Sequence, residues 1–333
     1  MDDGYFRIQP VPEFGVAVAE KFQQDFGVSI DPQSEVIACH GAGDGVFAVL
    51  SVLLNPGDEV ITFDPGFTFS YVIPAYLGAT VKSIPLPAAT GWVPDKEAVL
   101  RELDKLIGPK TRVFMLVNPE NPTGHVFRRD FLEALGDRLL RHGILVVEDQ
   151  VYEKVVYPPN EYTSMLSVPG MREHTVCVSS FAKSHLCAGL KVGYVVAPAA
   201  VVRALRHYYM LSSFTPNTAA LKTAVEILRG PQDFLNTWVR EWDELRRKTT
   251  DALDSIPNVF CSLPEAGTFC FADVSALRTG DEVARLLAER ARVLVTPGSH
   301  YGPSGNKYIR VCFGRTRPAR VEEGLDRIVK ALS

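Results

Sequence analysis

Lys183 sits in an unusual setting. The segment SSFAKSHLCAGLKVGY, residues 179–194, surrounds it with Ser180, Ala182 and Ser184 and puts a second cation, Lys191, a short way downstream. Nothing in that stretch offers the lysine an ion pair or a charged helix face. A lysine held in a partly desolvated pocket loses proton affinity, and its neutral amine can then form a Schiff base with a carbonyl carbon. A solvated surface lysine is the commoner outcome for any one such residue. The other polar residues of the chain decide between the two.

Further reactive or binding residues follow a pattern. In HGAGDGVFAVL, residues 40–50, a strand ends in a glycine-rich turn that opens a helix. Such a turn aims free N–H groups and the positive end of the helix dipole at an anion. It has neither the Walker lysine nor the G-x-G-x-x-G spacing, so a nucleotide is weakly supported and a plain tight turn competes. In DPGFTFSY, residues 64–71, Phe67 follows a Pro-Gly turn, either as core packing or as a plate for a flat ring. The loop VNPENPTG, residues 117–124, holds two asparagines between prolines, a mere turn or a pair of fixed donors for a ligand oxygen. Asp149 ends the apolar run ILVVED, with Tyr152 three positions on. The aspartate is either a helix N-cap or a carboxylate facing an aromatic nitrogen, which it would keep protonated. Arg310 lies inside the otherwise apolar YIRVCFG, where a salt bridge or a carboxylate-bearing ligand would account for it.

Most of these residues close β-branched runs. The runs are 35–41, 58–64, 112–118, 144–149, 175–180 and 192–197, and amphipathic stretches such as 95–106 and 131–142 separate them. Apolar strands alternating with helices predict an α/β unit with a mostly parallel sheet covered on both faces. Sheets of that kind bind ligands beyond the carboxyl ends of their strands. From about residue 230 the pattern changes to a long charged helix over 232–255, short strands, and helices over 280–292 and 318–332. The expected division is a large domain over 1–229 and a smaller C-terminal α+β domain over 230–333.

Composition narrows the function. The 333 residues are 46% hydrophobic and 22% charged with a net charge of −4, which gives no electrostatic footprint for nucleic acid or an anionic membrane. No apolar run approaches the roughly 20 residues that span a bilayer. The acidic start, MDDGYFRIQP, has no apolar leader core, so a cytoplasmic protein is expected. The six cysteines and seven histidines show no metal-ligand spacing, so neither a zinc site nor a disulfide scaffold is supported.

Taken in order, these features resemble the class I/II aminotransferases, the fold-type I pyridoxal-phosphate enzymes. NPENPTG and SFAK…GLKVGY carry the likeness most specifically, and it runs from about Tyr5 to the C-terminus. The resemblance implies that Lys183 forms the Schiff base with pyridoxal 5'-phosphate and later moves the substrate proton. It implies Asp149 as partner of the pyridine nitrogen, Tyr152 and Asn121 as donors to the ring oxygen, and Phe67 as the stacking plate. The phosphate would meet the Ala42 and Gly43 amides, the Ser180 hydroxyl and Lys191, and Arg310 would grip the substrate α-carboxylate, with Asn121 beside it. A homodimer is implied as well, with an amino acid and a 2-oxo acid as partners and no metal.

Three departures qualify the likeness. Lys191 stands where arginine is usual and loses the two-point contact. The phosphate turn lacks a hydroxyl or amide side chain, and Ile8 stands where a tyrosine normally reaches the neighbouring subunit's phosphate. Together they lead us to expect weaker cofactor retention. The chain also starts several tens of residues later than members of the family normally do, which a misassigned start codon, a trimmed chain or a more open substrate pocket would each explain. The leading reading is transfer of an L-amino acid's amino group to a 2-oxo acid. An eliminase, cyclase or oxidase on the same scaffold is the alternative, and an effector-binding module of a transcription regulator is disfavoured because no basic helix-turn-helix segment is visible.

Overall fold

The computed structural model describes residues 11–333. The predicted strands form, each within a residue or two of its expected ends. Helix α1 (Pro12–Phe26) leads into β1 (Val36–Cys39) and α2 (Ala42–Leu53), followed by β2 (Glu59–Asp64), α3 (Phe69–Tyr76) and β3 (Thr80–Pro85). Then come α4 (Lys96–Leu106), β4 (Thr111–Val117), α5 (Arg129–Arg141) and β5 (Leu145–Asp149). Strand β6 (Thr175–Ser180), the short helix α6 (Phe181–Ser184), β7 (Gly193–Val196), α7 (Ala199–Leu211) and α8 (Thr218–Arg229) complete this part.

These strands make one seven-stranded sheet in the order β1-β7-β6-β5-β4-β2-β3. It is mostly parallel; β7 alone runs against both neighbours. The alternation of a strand explains its double burial. On β4, Phe114 and Leu116 face α4 and α5, whereas Val113 and Met115 face α2 and α7.

The C-terminal part holds α9 (Asp233–Asp254), β8 (Phe260–Cys261), β9 (Phe269–Asp273), α10 (Gly280–Leu286), β10 (Thr296–Pro297), β11 (Tyr308–Cys312) and α11 (Pro318–Leu332). Its four strands form an antiparallel sheet in the order β10-β11-β9-β8. Trp242 and Leu245 of α9 and Leu325 and Ile328 of α11 pack on it. Tyr152, Val155 and Tyr157, just after β5, belong to the same apolar cluster, so one segment is shared by both sheets' surroundings.

Several elements differ from expectation. Strand β3 was not foreseen because it is an edge: only Ile84 is fully buried, and Lys82 interrupts the run to pair with Glu59 at 2.8 Å. Helix α1 was missed too, although Pro12 starts it and Gly27, at φ 68°, ends it as a left-handed cap. The helix expected over 280–292 keeps its α-helical form only to Leu286, then widens through residues 287–291 before Arg292 turns at φ 55°. Ile8, matched above to a cross-subunit tyrosine, lies outside the described residues. Among the described residues no helix is long and apolar enough to cross a membrane, all six cysteines are free, and no group of side chains could hold a metal ion.

Candidate active site

The sheet gathers the candidate residues along one edge. Register pairs Val117 with Asp149, Asp149 with Val178, and Ser180 with Gly193, while Cys39 also pairs with Gly193. The carboxyl ends of β1, β4, β5 and β6 therefore lie side by side. Because β7 is antiparallel, its beginning falls on that same edge, which brings Lys191 there from just before the strand. Lys191 adopts the left-handed conformation at φ 54° and is exposed toward the cavity.

Three contiguous cavities open on this edge, and Lys183 lines all of them. The first, about 330 Å³, is lined by Ala42, Gly43, Ser180 and Lys191 together with Phe67 and Asp149. The second, about 230 Å³, holds Asn121, Tyr152 and Arg310 beside Phe67 and Asp149. The third, also about 230 Å³, runs from Tyr152 and Lys183 past Leu186 to Trp242. Every candidate site residue among the described ones thus reaches one connected space.

Local contacts hold each group in place. Gly41, at φ 95°, turns the chain from β1 into α2, whose first amides carry no side-chain cap. Gly66 donates its N–H to Tyr301 O at 2.9 Å and Thr68 its hydroxyl to His300 O at 2.7 Å, which fixes the Phe67 turn against the C-terminal sheet. The two asparagines of NPENPTG part company. Asn118 is consumed locally, donating from Nδ2 to Thr163 O at 3.1 Å and accepting from Phe127 N–H at 3.2 Å. Only Asn121 turns to the cavity, where its Oδ1 accepts from Arg310 Nη1 at 2.9 Å. The loop thus combines the two readings left open above, a turn held by Asn118 and a polar group offered by Asn121.

Arg310 is flanked by aromatic rings, with Phe269 at 5.2 Å and Tyr301 at 5.1 Å from its guanidinium carbon. No acid pairs with it among the described residues, and its buried Nε has no partner. The salt-bridge explanation of this arginine therefore falls away. Asp149 is no helix N-cap: its Oδ1 accepts from Val151 N–H at 3.2 Å in a turn that does not continue as a helix.

Electrostatics sort the acids and bases. Burial pushes the Asp149 carboxyl up to about 6, against the pull of the Val151 N–H and the Lys183 charge. Lys183 has an open face on the cavity but is crowded elsewhere. That crowding lowers its proton affinity; Arg315 and Arg310 add to the lowering, and Cys312 and Asp149 oppose it. The Lys183 ammonium lies 5.8 Å from the Tyr152 ring centre. Burial keeps the Tyr152 phenol protonated.

The model of the family described as aminotransferase class I and II matches residues 2–328. The chain belongs to this family. An aspartate aminotransferase of Pyrococcus abyssi is 30% identical over 97% of this chain and 82% of its own length. An aspartate aminotransferase of Geobacillus stearothermophilus is 28% identical over 98% and 84%. Among solved structures, the aromatic aminotransferase of Pyrococcus horikoshii superposes with a TM-score of 0.91 at 26% identity, covering 97% of this chain and 85% of that one. The protein is thus a pyridoxal-phosphate-dependent aminotransferase of fold type I.

The aminotransferase's residues fit that cofactor. The uncapped start of α2, with Ser180 and Lys191, offers free donors and a cation that would suit a phosphate, and the buried His40 Nε2 at the same cavity has no partner. Asp44 at that end is tied down, accepting from His40 N–H and from the Tyr209 hydroxyl, each at 2.9 Å. A buried carboxyl, Asp149, and the Lys183 amine line the same cavity. Sequence reasoning missed Phe269, Trp242, Cys312 and Arg315, which also line these cavities. The first two read as ordinary core aromatics, and Arg315 lies in the loop GRTRP, where a solvated charge is the default.

Proposed function

We propose that this aminotransferase moves the amino group of an L-amino acid to a 2-oxo acid, with Lys183 as the residue that binds the cofactor's aldehyde carbon. The observation that carries the reading is the placement of Lys183, the one residue that borders all three cavities. When bound, pyridoxal phosphate supplies an electron sink for the negative charge left on the substrate's α-carbon.

The chain's own residues would do the rest. The Ala42 and Gly43 amides, Ser180 and Lys191 hold the phosphate, and Phe67 backs the ring. Asp149, ionised, would accept a hydrogen bond from the pyridine N–H and keep that proton in place. The Tyr152 hydroxyl and the Asn121 amide donate to the ring oxygen. Arg310 takes the substrate α-carboxylate in a two-point grip, steadied by Asn121 and the flanking rings. Lys183 Nζ, its proton affinity already lowered, would as a neutral amine accept the substrate's α-proton and hold it for return.

Two wider features belong to the same reading. We take the division of the chain to fall near residue 230, and the working form to be a cytoplasmic homodimer. Free thiols suit a reducing compartment. Exposed Val72 and Tyr76 on α3 and Met210 and Leu211 on α7 flank α2, giving an apolar face beside the phosphate end for a second copy.

A single turnover tests the chemistry. Mixed with excess amino acid and no acceptor, the loaded enzyme should release one equivalent of 2-oxo acid and no ammonia. Continued ammonia release would point to elimination, and oxygen uptake to an oxidase; either would overturn transamination.

A further inference from the structure

Two guanidinium groups enter the cavity that holds Asn121, and neither has an acidic partner among the described residues. Arg310 donates only to the neutral Asn121 amide, and its Nε is unsatisfied. Arg315 follows β11 by three residues, is exposed, and makes no ion pair. It lines two of the cavities that Lys183 borders, and its charge lowers the proton affinity of that amine. Asp149 is the acid lining this cavity, and the function proposed above commits it to the pyridine nitrogen. Two cations are left facing the substrate's space, and an α-carboxylate neutralises one of them.

We propose that Arg315 receives a second carboxylate, so that the substrates are amino dicarboxylic acids and the matching 2-oxo acids, held between Arg310 and Arg315 with the amine toward Lys183. The inference rests on Arg310 as the α-carboxylate residue. Arg315 also borders the third cavity, with Tyr152 and Lys183 as the shared wall. Val155, Leu186 and Trp242 also line that third cavity. A short acidic side chain stops at the guanidinium, where a charge-assisted pair forms. An apolar side chain would have to pass that cation to reach the apolar walls, leaving it unpaired.

The test is kcat/KM of the holoenzyme for glutamate, aspartate, phenylalanine and leucine, in wild type, R315Q and R315K. Wild type should favour the two dicarboxylic donors. In R315Q the glutamate-to-phenylalanine ratio should fall about 10- to 100-fold, the size of one lost hydrogen-bonded charge pair, and R315K should recover part of it. Succinate, which binds without reacting, should lose affinity for R315Q holoenzyme by a similar factor. An unchanged ratio in R315Q, or a wild type that prefers phenylalanine or leucine, overturns the proposal while leaving transamination intact. Failure of every donor to yield 2-oxo acid would instead remove the function proposed above, and the succinate measurement would still decide whether Arg315 binds a carboxylate.

Discussion

Asp149 and Arg310 show how a fold sets the chemistry of single groups. Burial, partly offset by the Val151 N–H and the Lys183 charge, raises the Asp149 carboxyl to about 6, so it is mostly neutral below that pH and mostly ionised above it. Affinity for a protonated pyridine nitrogen should therefore rise between about pH 5 and pH 7 in the wild type. In D149N that added rise should vanish. The cofactor's own titrations are common to both proteins, so the ratio of the two dissociation constants, followed by fluorescence, isolates the carboxylate. A ratio that does not change with pH would remove Asp149 from the pyridine. Arg310→Lys keeps the charge but gives up the planar fork. It should lower kcat/KM about tenfold or more for every donor alike, since the lost hydrogen bond is to the carboxylate all amino acids share. Retention of full kcat/KM would place the α-carboxylate elsewhere. At this scale the sequence was uneven. Asn118 and Asn121 are the same residue type in one loop, and only the folded chain shows that Thr163 and Phe127 consume the first. Arg315 was invisible because a cation in a polar loop looks the same whether it meets water or a ligand.

Among the elements, the antiparallel β7 matters most. It brings Lys191 to the carboxyl ends of the parallel strands and presses its first residue against the turn at Gly41. A Cβ at Gly193 would come within 2.6 Å of Ser179 O and 2.9 Å of the Gly41 carbonyl carbon, both backbone atoms that cannot rotate away. Gly193→Ala should therefore destabilise the cofactor-free protein by about 1–3 kcal/mol, as overpacking does elsewhere. It should also weaken cofactor binding, because Gly41 must move. Thermal unfolding and a cofactor titration check the two effects, and a variant with wild-type values in both would mean that the turn is looser than this geometry. The main strands were legible because β-branched runs buried on both faces leave an apolar signature, and the motif residues stand at their ends. Strand β3 was not, since an edge strand half-covered and interrupted by Lys82 has no such pattern.

At the scale of the whole molecule, two sheets meet around the segment 149–157, and the apolar face on α3 and α7 lies outside that junction. If a second copy covers this face, L211E should shift the protein from dimer to monomer in sedimentation and loosen the phosphate end it adjoins. A wild type that is monomeric at working concentration would contradict this. The C-terminal unit was foreseen from the change in pattern near residue 230, but its sharing of Tyr152, Val155 and Tyr157 with the region after β5 was not, because that contact joins distant parts of the chain. The convergence of all three cavities on one amine is likewise a property of the assembled molecule. The most direct test reduces the holoenzyme with borohydride, digests it and maps the pyridoxyl group by mass spectrometry. The expected result is a single modified peptide carrying the adduct on Lys183; an unmodified Lys183, or an adduct confined to another lysine, would contradict the assignment.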